Sequence, residues 1–325
     1  MQSFLLRNKT RKTYLESLLS YAASSRASYQ SALNRFEEFC AFFYEGRTSD
    51  KIVTELKSIP IEHRDDAYFG VLQGYVNWLL KRNLSHKTVN NHFKIVNHYF
   101  NFHGIRAFPA DLRRNVNRPK EIKEKLHPLT LDEIHRLFSC STPKRRMLYL
   151  VLIGSGMRIR ESVSLRKKDF DLDFSKRIKI DIPAQNTKTK AAHTTFVSKE
   201  ASKSLIPYLD SLQSDDLVFA TNENPYHASM TEIEAFTRCR DSAGLRDKYS
   251  SANRHHITLH SFRSYFFTRA RRVHDTDIAH AMVGHTPYLD MYDRKDDVQK
   301  LELFLKVEPS LVIKFQRDTT GTNTS

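Results

Sequence analysis

Apolar residues recur at helical spacing over most of this 325-residue chain, and strand-like alternation is confined to one short stretch. In the first third, three segments carry an apolar residue every three or four positions, which predicts amphipathic helices. One is capped by Ser25, one covers 66–81, and one starts after Ser85 and stops at Gly104. The apolar sets are Tyr29, Leu33, Phe36, Cys40 and Phe43, then Phe69, Leu72, Val76, Leu79 and Leu80, then Val89, Phe93, Val96 and Phe100. Because the aromatic side chains follow the helical stripes, they are predicted to form a core rather than a base-stacking surface.

The rest of the chain is predicted to be a second domain, because the charged segment 116–127 separates two regions with apolar patterning. Behind this linker, Thr130 and Glu133 match a capping box that opens a helix. A nearly continuous apolar helix follows, and alternation at 177–182 and 193–197 predicts a β-hairpin. The predicted fold is mostly α with a small β-sheet: an all-α domain over 1–115, the linker, and an α+β domain over 128–325.

The excess of basic side chains is spread over both predicted domains. The net charge is +15, with 17 basic and 10 acidic side chains in residues 1–115 and 35 and 27 in the remainder. This distribution favours a nucleic-acid partner that both domains contact. No apolar run is long enough to span a membrane, and the N-terminus lacks a secretory signal pattern. Three distant cysteines give neither a disulfide framework nor a CxxC metal site. We expect a cytoplasmic, nucleoid-associated protein.

Two short motifs carry side chains suited to phosphate chemistry. In GSGMRIRES, two glycines allow a tight turn, and Arg158 then precedes Glu161 by three residues. By itself this pair is about as often an ordinary ion pair on a helix face. In LHSFR, the three-residue spacing of His260 and Arg263 places both on one face of a helix. Each motif alone has a structural explanation.

The order of the motifs is more informative than any one of them. An Arg-x-x-Glu motif, a hairpin with lysines, a His-x-x-Arg motif, a Gly-His pair at 284–285 and a tyrosine near the C-terminus follow one another. GSGMRIRES, LHSFR and MVGH resemble three boxes of the tyrosine recombinase (phage-type integrase) family, and the resemblance extends over about residues 10–300. It implies a two-domain C-clamp, with a helical, SAM-like core-binding domain before the catalytic domain. It also implies metal-independent DNA strand transfer.

The resemblance assigns a role to each motif residue. Arg158 and Arg263 would bind the nonbridging oxygens of the scissile phosphate, for which the guanidinium fork is well suited. Glu161 would orient these cations, since a carboxylate facing the phosphate directly would repel it. His260 would assist proton transfer from the tyrosine or bind the phosphate, and His285 would hydrogen-bond the same phosphate.

The resemblance also requires a general acid on the β-hairpin, and two lysines are candidates. We prefer Lys188 to Lys190, because Lys188 begins a Lys-Thr step like that of many integrases. Either lysine could instead contact the DNA backbone. His256 and His260 could mimic a helical zinc pair, but no third ligand suggests itself, so no metal and no cofactor are expected.

The nucleophile is predicted to be Tyr292 or Tyr288. Tyr288 lies only three residues after His285, which is too close to the turn for independent movement. Tyr292 is closer to His285 than the nucleophile is in most bacterial and phage members. The Tyr-Leu-x-x-Tyr-x-Arg pattern, however, is similar to archaeal integrases, in which the second tyrosine attacks. We therefore favour Tyr292 as the nucleophile. We expect Arg294 to be a solvated charge rather than a further phosphate contact.

An apolar segment follows the predicted nucleophile. It could complete the core of its own subunit or dock onto a neighbouring subunit, as in the resembled family, and we favour docking in trans. The apolar residues of this segment, 297–315, are Leu301, Leu303, Phe304, Leu305, Leu311, Val312 and Ile313.

The resemblance implies a site-specific recombinase that acts on double-stranded DNA with an inverted-repeat site. The reaction would proceed through a 3′-phosphotyrosine and a Holliday junction, with a homo-tetramer on DNA and a monomer or dimer when free. A type IB topoisomerase uses the same residues, but the motif spacing and small helical domain favour a recombinase. A degenerate integrase acting as a DNA-bound regulator is a further alternative, against which the complete residue set argues. The gene could belong to a virus or a plasmid.

Overall fold

The structure is a computed structural model that describes residues 8–250, 253–285 and 295–313. It divides into two compact units, with the break between Glu124 and Lys125, while Ser250 and Asn253 group with the first unit. Residues 116–130 form no helix or strand. In the described part of the chain, no helix is both long enough and apolar enough to cross a membrane.

The first unit is built from helices packed around a core rich in aromatic rings. Phe36 is fully buried and packs edge-on against Tyr75 and Phe100, whose ring centroids lie 5.1 and 5.6 Å away. Such edge-to-face contacts are a favoured geometry for aromatic pairs. These aromatic side chains therefore form a core, as predicted. The helices are α1 (Arg11–Ser17), α2 (Ala23–Phe43), α3 (Ser49–Ser58), α4 (Ile61–Lys81), α5 (His86–Phe102) and α6 (Pro109–Asn115).

Of the three helix starts predicted in the first unit, the one with a side-chain cap is right and the other two are wrong. Ser85 caps α5 by accepting a hydrogen bond from the backbone N–H of Thr88. Ser25 does not cap α2, which begins earlier and has no side-chain cap. Helix α4 begins directly after Pro60, where a missing N–H costs nothing, and so starts before the predicted residue 66. The last predicted core residue of α2, Phe43, is half exposed.

The second unit combines helices with a small antiparallel sheet. The sheet has the strand order β1-β2-β3, and Ile180 of β2 lies opposite Phe170 of β1 and Thr195 of β3. The β2–β3 hairpin was predicted, whereas β1 is only two residues long and shows no alternation in the sequence. The elements are α7 (Leu131–Ser139), α8 (Pro143–Ser155), α9 (Ile159–Ser162), β1 (Phe170–Asp171), β2 (Lys179–Ile182), β3 (His193–Phe196), α10 (Lys199–Asp210), α11 (Pro225–Ser242), α12 (His260–Val273), α13 (Thr276–Met282) and α14 (Asp297–Val307).

Helix α14 belongs to the core of its own unit, so the expectation that this segment docks in trans is wrong for residues 297–313. Phe304 packs on Phe196 of β3 with ring centroids 5.6 Å apart. Glu308 forms an ion pair with Arg177 and accepts a hydrogen bond from the backbone N–H of Lys199. The buried apolar residues of the segment are Leu301, Phe304, Val307, Leu311 and Ile313. Residues 314 and 315 lie outside the described ranges.

Candidate active site

A tight turn after α8 sets the position of Arg158 and Glu161. Gly156 ends α8 with a φ of +68°, and a Cβ there would lie 2.5 Å from the ring of Phe266. Only glycine combines that left-handed conformation with so close an approach. Thr130 and Glu133 form the predicted capping box at the start of α7, and Glu161 makes an analogous contact at the start of α9.

Glu161 is the anionic centre of the site. Its carboxylate accepts a hydrogen bond from the backbone N–H of Arg158 at 2.8 Å and one from the guanidinium of Arg158 at 2.6 Å. Its second charged neighbour is Arg263, whose Nη1 lies 3.9 Å from Glu161 Oε2. Glu161 is only 1% exposed, whereas the side chain of Arg158 is 22% exposed. The carboxylate is therefore hidden behind the arginines, and Arg158 can reach a bound anion.

Arg263 is held by two backbone carbonyls from different parts of the chain. Its Nη1 donates to the carbonyl of Gly156 at 2.8 Å, and its Nη2 donates to the carbonyl of Val283 at 2.5 Å. Burial, with the nearby Arg158 charge, lowers the pKa of Arg263 to about 10. The guanidinium remains a cation at neutral pH, and its environment lacks enough negative charge to balance it. Such a site favours the binding of an anion.

His285 completes the group that we call the arginine cluster: Arg158, Glu161, Arg263 and His285. It follows Gly284, which has a φ of +65° and would place a Cβ 2.6 Å from the ring of His193. His285 Nε2 lies 3.1 Å from Arg263 Nη2, and His285 Nδ1 lies 2.9 Å from Nδ1 of His280. Burial and the two arginine charges lower the pKa of His285 to about 4, so the ring is neutral at physiological pH.

His260 begins α12, one turn before Arg263, as the sequence predicted. Burial, and then the charges of Arg263 and Arg158, lower its pKa, so this ring is also a neutral base at pH 7. His256 and His260 do not share a helix, because His256 precedes α12; its ring stacks on His127 and lies tilted against Tyr249. The described residues contain no group of three His, Cys, Asp or Glu side chains that could hold a metal ion.

The two candidate lysines lie on a loop between β2 and β3, residues 183–192, which we call the lysine loop. Lys188 is exposed and has no hydrogen-bond or ion-pair partner among the described residues. Lys190 has a φ of +58°, and its Nζ donates to the carbonyl of Gln185 at 3.3 Å. Buried Thr187 anchors the loop by donating to the carbonyl of Ala184. The structure thus brings the arginine cluster together but gives no contact between it and either lysine.

Comparison with known proteins identifies a family. Residues 127–288 match the family described as the phage integrase family. The chain belongs to this family. The match includes every residue of the arginine cluster and the lysine loop.

Two archaeal relatives of this integrase-family chain are both described as tyrosine recombinase XerA. The chain is 33% identical to the Thermococcus kodakarensis protein over 98 residues and 30% identical to the Thermococcus onnurineus protein over 100 residues. The alignments cover 29% and 30% of this chain. The chain spans about a third of the length of these relatives, 33% and 34%.

Solved integrase structures share the fold of this family member. A lambda integrase fragment, determined as a dimer bound to a COC′ core site, has a TM-score of 0.61 and 15% identity, with 88% of this chain and 97% of that chain covered. The Tn1549 transposon integrase, in complex with transposon right-end DNA, has a TM-score of 0.62 and 14% identity, with coverages of 91% and 97%. The prediction of a mostly helical chain with a small sheet is confirmed.

Tyr288 and Tyr292, together with Arg294, lie outside the described residues. The choice of Tyr292 as nucleophile therefore stays a prediction.

Two histidines near the site were missed by sequence reasoning. His193 was assigned only to a strand, yet its ring packs against Gly284, and burial lowers its pKa. His280 was not singled out, yet it contacts His285. For His280 the available signal was its position five residues before His285, on the helix that leads into the Gly-His motif. For His193 the sequence gives none, because its neighbour Gly284 is 91 residues away.

Proposed function

We propose that this chain is a site-specific tyrosine recombinase that cleaves and rejoins DNA strands through a 3′-phosphotyrosine. The observation that carries the proposal is the convergence of Arg158 and Arg263 on one buried carboxylate, Glu161. Guanidinium groups bind phosphate oxygens bidentately and remain charged, and charge in the transition state develops on those oxygens. Glu161 fixes both cations in advance, so that little reorganisation is needed when DNA binds.

In this proposal Tyr292 is the nucleophile and Lys188 is the general acid. The tyrosine oxygen forms a bond to phosphorus, the bond from phosphorus to the 5′-oxygen breaks, and Lys188 gives that oxygen a proton. Rejoining is the reverse, with a 5′-hydroxyl of another strand attacking the phosphotyrosine. Two rounds of this exchange pass through a Holliday junction. No group outside the protein and the DNA is consumed.

The histidines contribute as neutral rings. The lowered pKa of His260 leaves it unprotonated at pH 7, which is the form that can accept the tyrosine proton. His285 lies beside Arg263 and is neutral for the same reason of burial and nearby cations. A neutral imidazole can donate one hydrogen bond to a phosphate oxygen without placing a third positive charge in the cluster.

The proposed partner is double-stranded DNA with inverted repeats, bound by a homo-tetramer. The net charge of +15 supports an electrostatic contribution to DNA binding. The structurally similar lambda integrase and Tn1549 integrase were both determined with DNA, and XerH, with a TM-score of 0.55, was determined with its difH substrate. The assembly on DNA, and a monomeric or dimeric form without it, belong to the same proposal, as does action in the cytoplasm.

Covalent capture from random DNA tests the proposal without knowledge of the recognition sequence. Duplexes with a randomised segment and one nick are incubated with the protein, denatured, and recovered only if they remain attached. We expect a single enriched motif with wild type and with Tyr288→Phe, and no attachment with Tyr292→Phe, which loses only the hydroxyl. Attachment that disappears in Tyr288→Phe and persists in Tyr292→Phe would reverse the choice of nucleophile.

DNA that carries the enriched motif then allows an experiment that distinguishes recombination from supercoil relaxation. Two copies placed on separate molecules should exchange strands and accumulate four-way junctions. Supercoil relaxation without any exchange would favour a topoisomerase-like enzyme. Sequence-specific binding with no covalent attachment in wild type would favour a DNA-bound regulator.

A further inference from the structure

A second histidine supports the histidine of the arginine cluster. His280 lies on α13, five residues before His285, and the Nδ1 atoms of the two rings are 2.9 Å apart. At that distance the two nitrogens must share one proton, because two bare nitrogens or two N–H groups facing each other would repel. One ring donates to the other, and the remaining contacts of His285 determine which.

Arg263 determines the direction of this hydrogen bond. A guanidinium has only donors, so His285 Nε2, which lies 3.1 Å from Arg263 Nη2, must accept and carries no proton. The proton of a neutral His285 is then on Nδ1, which donates to His280. It follows that His280 Nδ1 is bare and that the proton of a neutral His280 is on Nε2. The tautomers of both rings are fixed by one arginine.

The charged groups around the two rings are already engaged, so His280 is the group that contacts His285 Nδ1. Its ring lies against Phe267 of α12, with centroids 4.8 Å apart, so the ring is supported on one face. The charged and titratable groups that act on His285 from other elements are Arg158 and Glu161 of the α8–α9 turn and Arg263 of α12, and His193 of β3 packs on the neighbouring Gly284. The Glu161 carboxylate already binds the two arginines.

We propose that His280 is a positioning residue for His285, an inference that rests on the proposed function. In the DNA-free site His285 has the wrong tautomer to donate from Nε2 to a phosphate oxygen. When a phosphate takes over the Arg263 donor, His285 Nε2 is free to gain a proton from water. His285 Nδ1 passes its proton to His280 Nδ1, and His280 Nε2 releases one to water. Because His280 Nδ1 can accept or donate, it holds the His285 ring in both states.

Two variants of similar size separate this role from simple packing. In His280→Asn, the amide oxygen or nitrogen stands about where Nδ1 stood and can accept or donate, whereas His280→Leu can do neither. With the captured DNA, we expect His280→Leu to slow covalent attachment by about tenfold, a part of the hundredfold or more that proton transfer commonly supplies. His280→Asn should remain within about threefold of wild type on the same scale. His227→Leu, at an exposed histidine of α11, is the matched control.

The outcomes decide between positioning and packing. Equal rates in the Asn and Leu variants, whether normal or reduced, would overturn the proposal, because only the hydrogen bond distinguishes them. Melting temperatures of both variants accompany the rates, so that a loss from misfolding is recognised.

A spectroscopic measurement tests the pair without any DNA. In protein labelled with ¹⁵N-histidine and assigned by substitution, His285 should show a bare Nε2 and a protonated, slowly exchanging Nδ1. That slow exchange should persist in His280→Asn and disappear in His280→Leu. A protonated Nε2 in the DNA-free wild type would overturn the inference. If wild type never attaches to DNA, the proposed function fails while these spectra still decide the His280–His285 contact.

Discussion

The arginine cluster and the lysine loop lie in the same unit and are built in opposite ways. Arg263 is 4% exposed and Glu161 is 1% exposed, and each has partners from separate parts of the chain. Lys188 is exposed on its loop, and the described residues offer it no hydrogen bond or ion pair. The groups proposed to bind phosphate are thus fixed before DNA arrives, whereas the proposed proton donor is not.

This difference has a physical reason. Stabilisation of charge in a transition state works best when the binding groups are already oriented, since reorienting them would add to the barrier. A proton donor must instead approach one bridging oxygen, whose position is defined only when DNA is bound. An exposed lysine on a loop remains hydrated before DNA binds, so leaving it unpaired costs little free energy. We infer that DNA binding, rather than folding, brings Lys188 to the cluster.

The largest effect is expected from deleting the C-terminal segment that contains α14, which packs on β3 of the same unit. Deleting residues 297–325 removes five buried apolar side chains, each worth about 1.5–3 kcal/mol, from a unit whose total stability is on the order of 5–15 kcal/mol. The second unit should lose cooperative unfolding, measured by calorimetry without DNA. An unchanged melting transition, together with a loss of cooperative binding to DNA, would instead support docking in trans.

Point substitutions refine this test. Phe304→Ala should lower the free energy of unfolding by about 3–5 kcal/mol, because it leaves a cavity against Phe196. Val312→Ala, at a residue that is 39% exposed, is the matched control and should change it by less than about 0.5 kcal/mol.

Removing the charge of Glu161 should break the arginine cluster and spare the lysine loop. Glu161→Gln keeps the shape but leaves Arg158 and Arg263 as uncompensated neighbours, which should cost about 3–5 kcal/mol of stability and slow covalent attachment. Urea unfolding and attachment rates measure the two effects. Glu223→Gln, which disrupts an exposed ion pair with Arg166, should cost at most about 1 kcal/mol. Similar losses in the two variants would mean that the cluster is not pre-organised.

Substitution of Lys188 should give the opposite pattern, with activity lost and stability kept. Lys188→Ala should change the free energy of unfolding by less than about 0.5 kcal/mol and slow cleavage of ordinary DNA by about 10²–10⁴-fold. A 5′-bridging phosphorothiolate, whose sulfur leaves without a proton, should restore most of the rate. Lys190→Ala is the matched control. Equal defects on both substrates would show that Lys188 only binds phosphate.

The smallest effect is the contribution of His285 to the pH dependence of stability. Burial and the nearby arginines hold the pKa of His285 at about 4 instead of 6.5. Between these values the unfolded chain binds a proton at this ring and the folded chain does not, so stability decreases as pH falls through that window. Urea unfolding at several pH values should show a shallower dependence in His285→Asn. His227→Asn should not alter it. An unchanged slope in His285→Asn would assign the dependence to other groups.

Features decided by neighbouring residues could be predicted from the sequence. The caps at Ser85 and Thr130 form between residues three apart, so their patterns are visible in the sequence and the structure has them. The contact of Arg158 with Glu161 and the shared helix of His260 and Arg263 depend on the same local spacing. Their order along the chain was sufficient to indicate the family.

Features decided by long-range packing could not be predicted in this way. Arg263 reaches the carbonyl of Gly156 across 107 positions, and the ring of His193 packs on Gly284 from a strand of another segment. Helix α14 has an apolar stripe that would suit its own core or a neighbour equally well. Its contact with Phe196, and the ion pair of Arg177 with Glu308 directly after the helix, decide for its own core. Hydrophobic burial has no direction of its own, so a stripe indicates that a face is covered without indicating what covers it. The sequence by itself indicated the motif residues of this site, and the tertiary structure decided how Arg158, Arg263 and His285 are held and which other residues, His193 and His280, lie beside them.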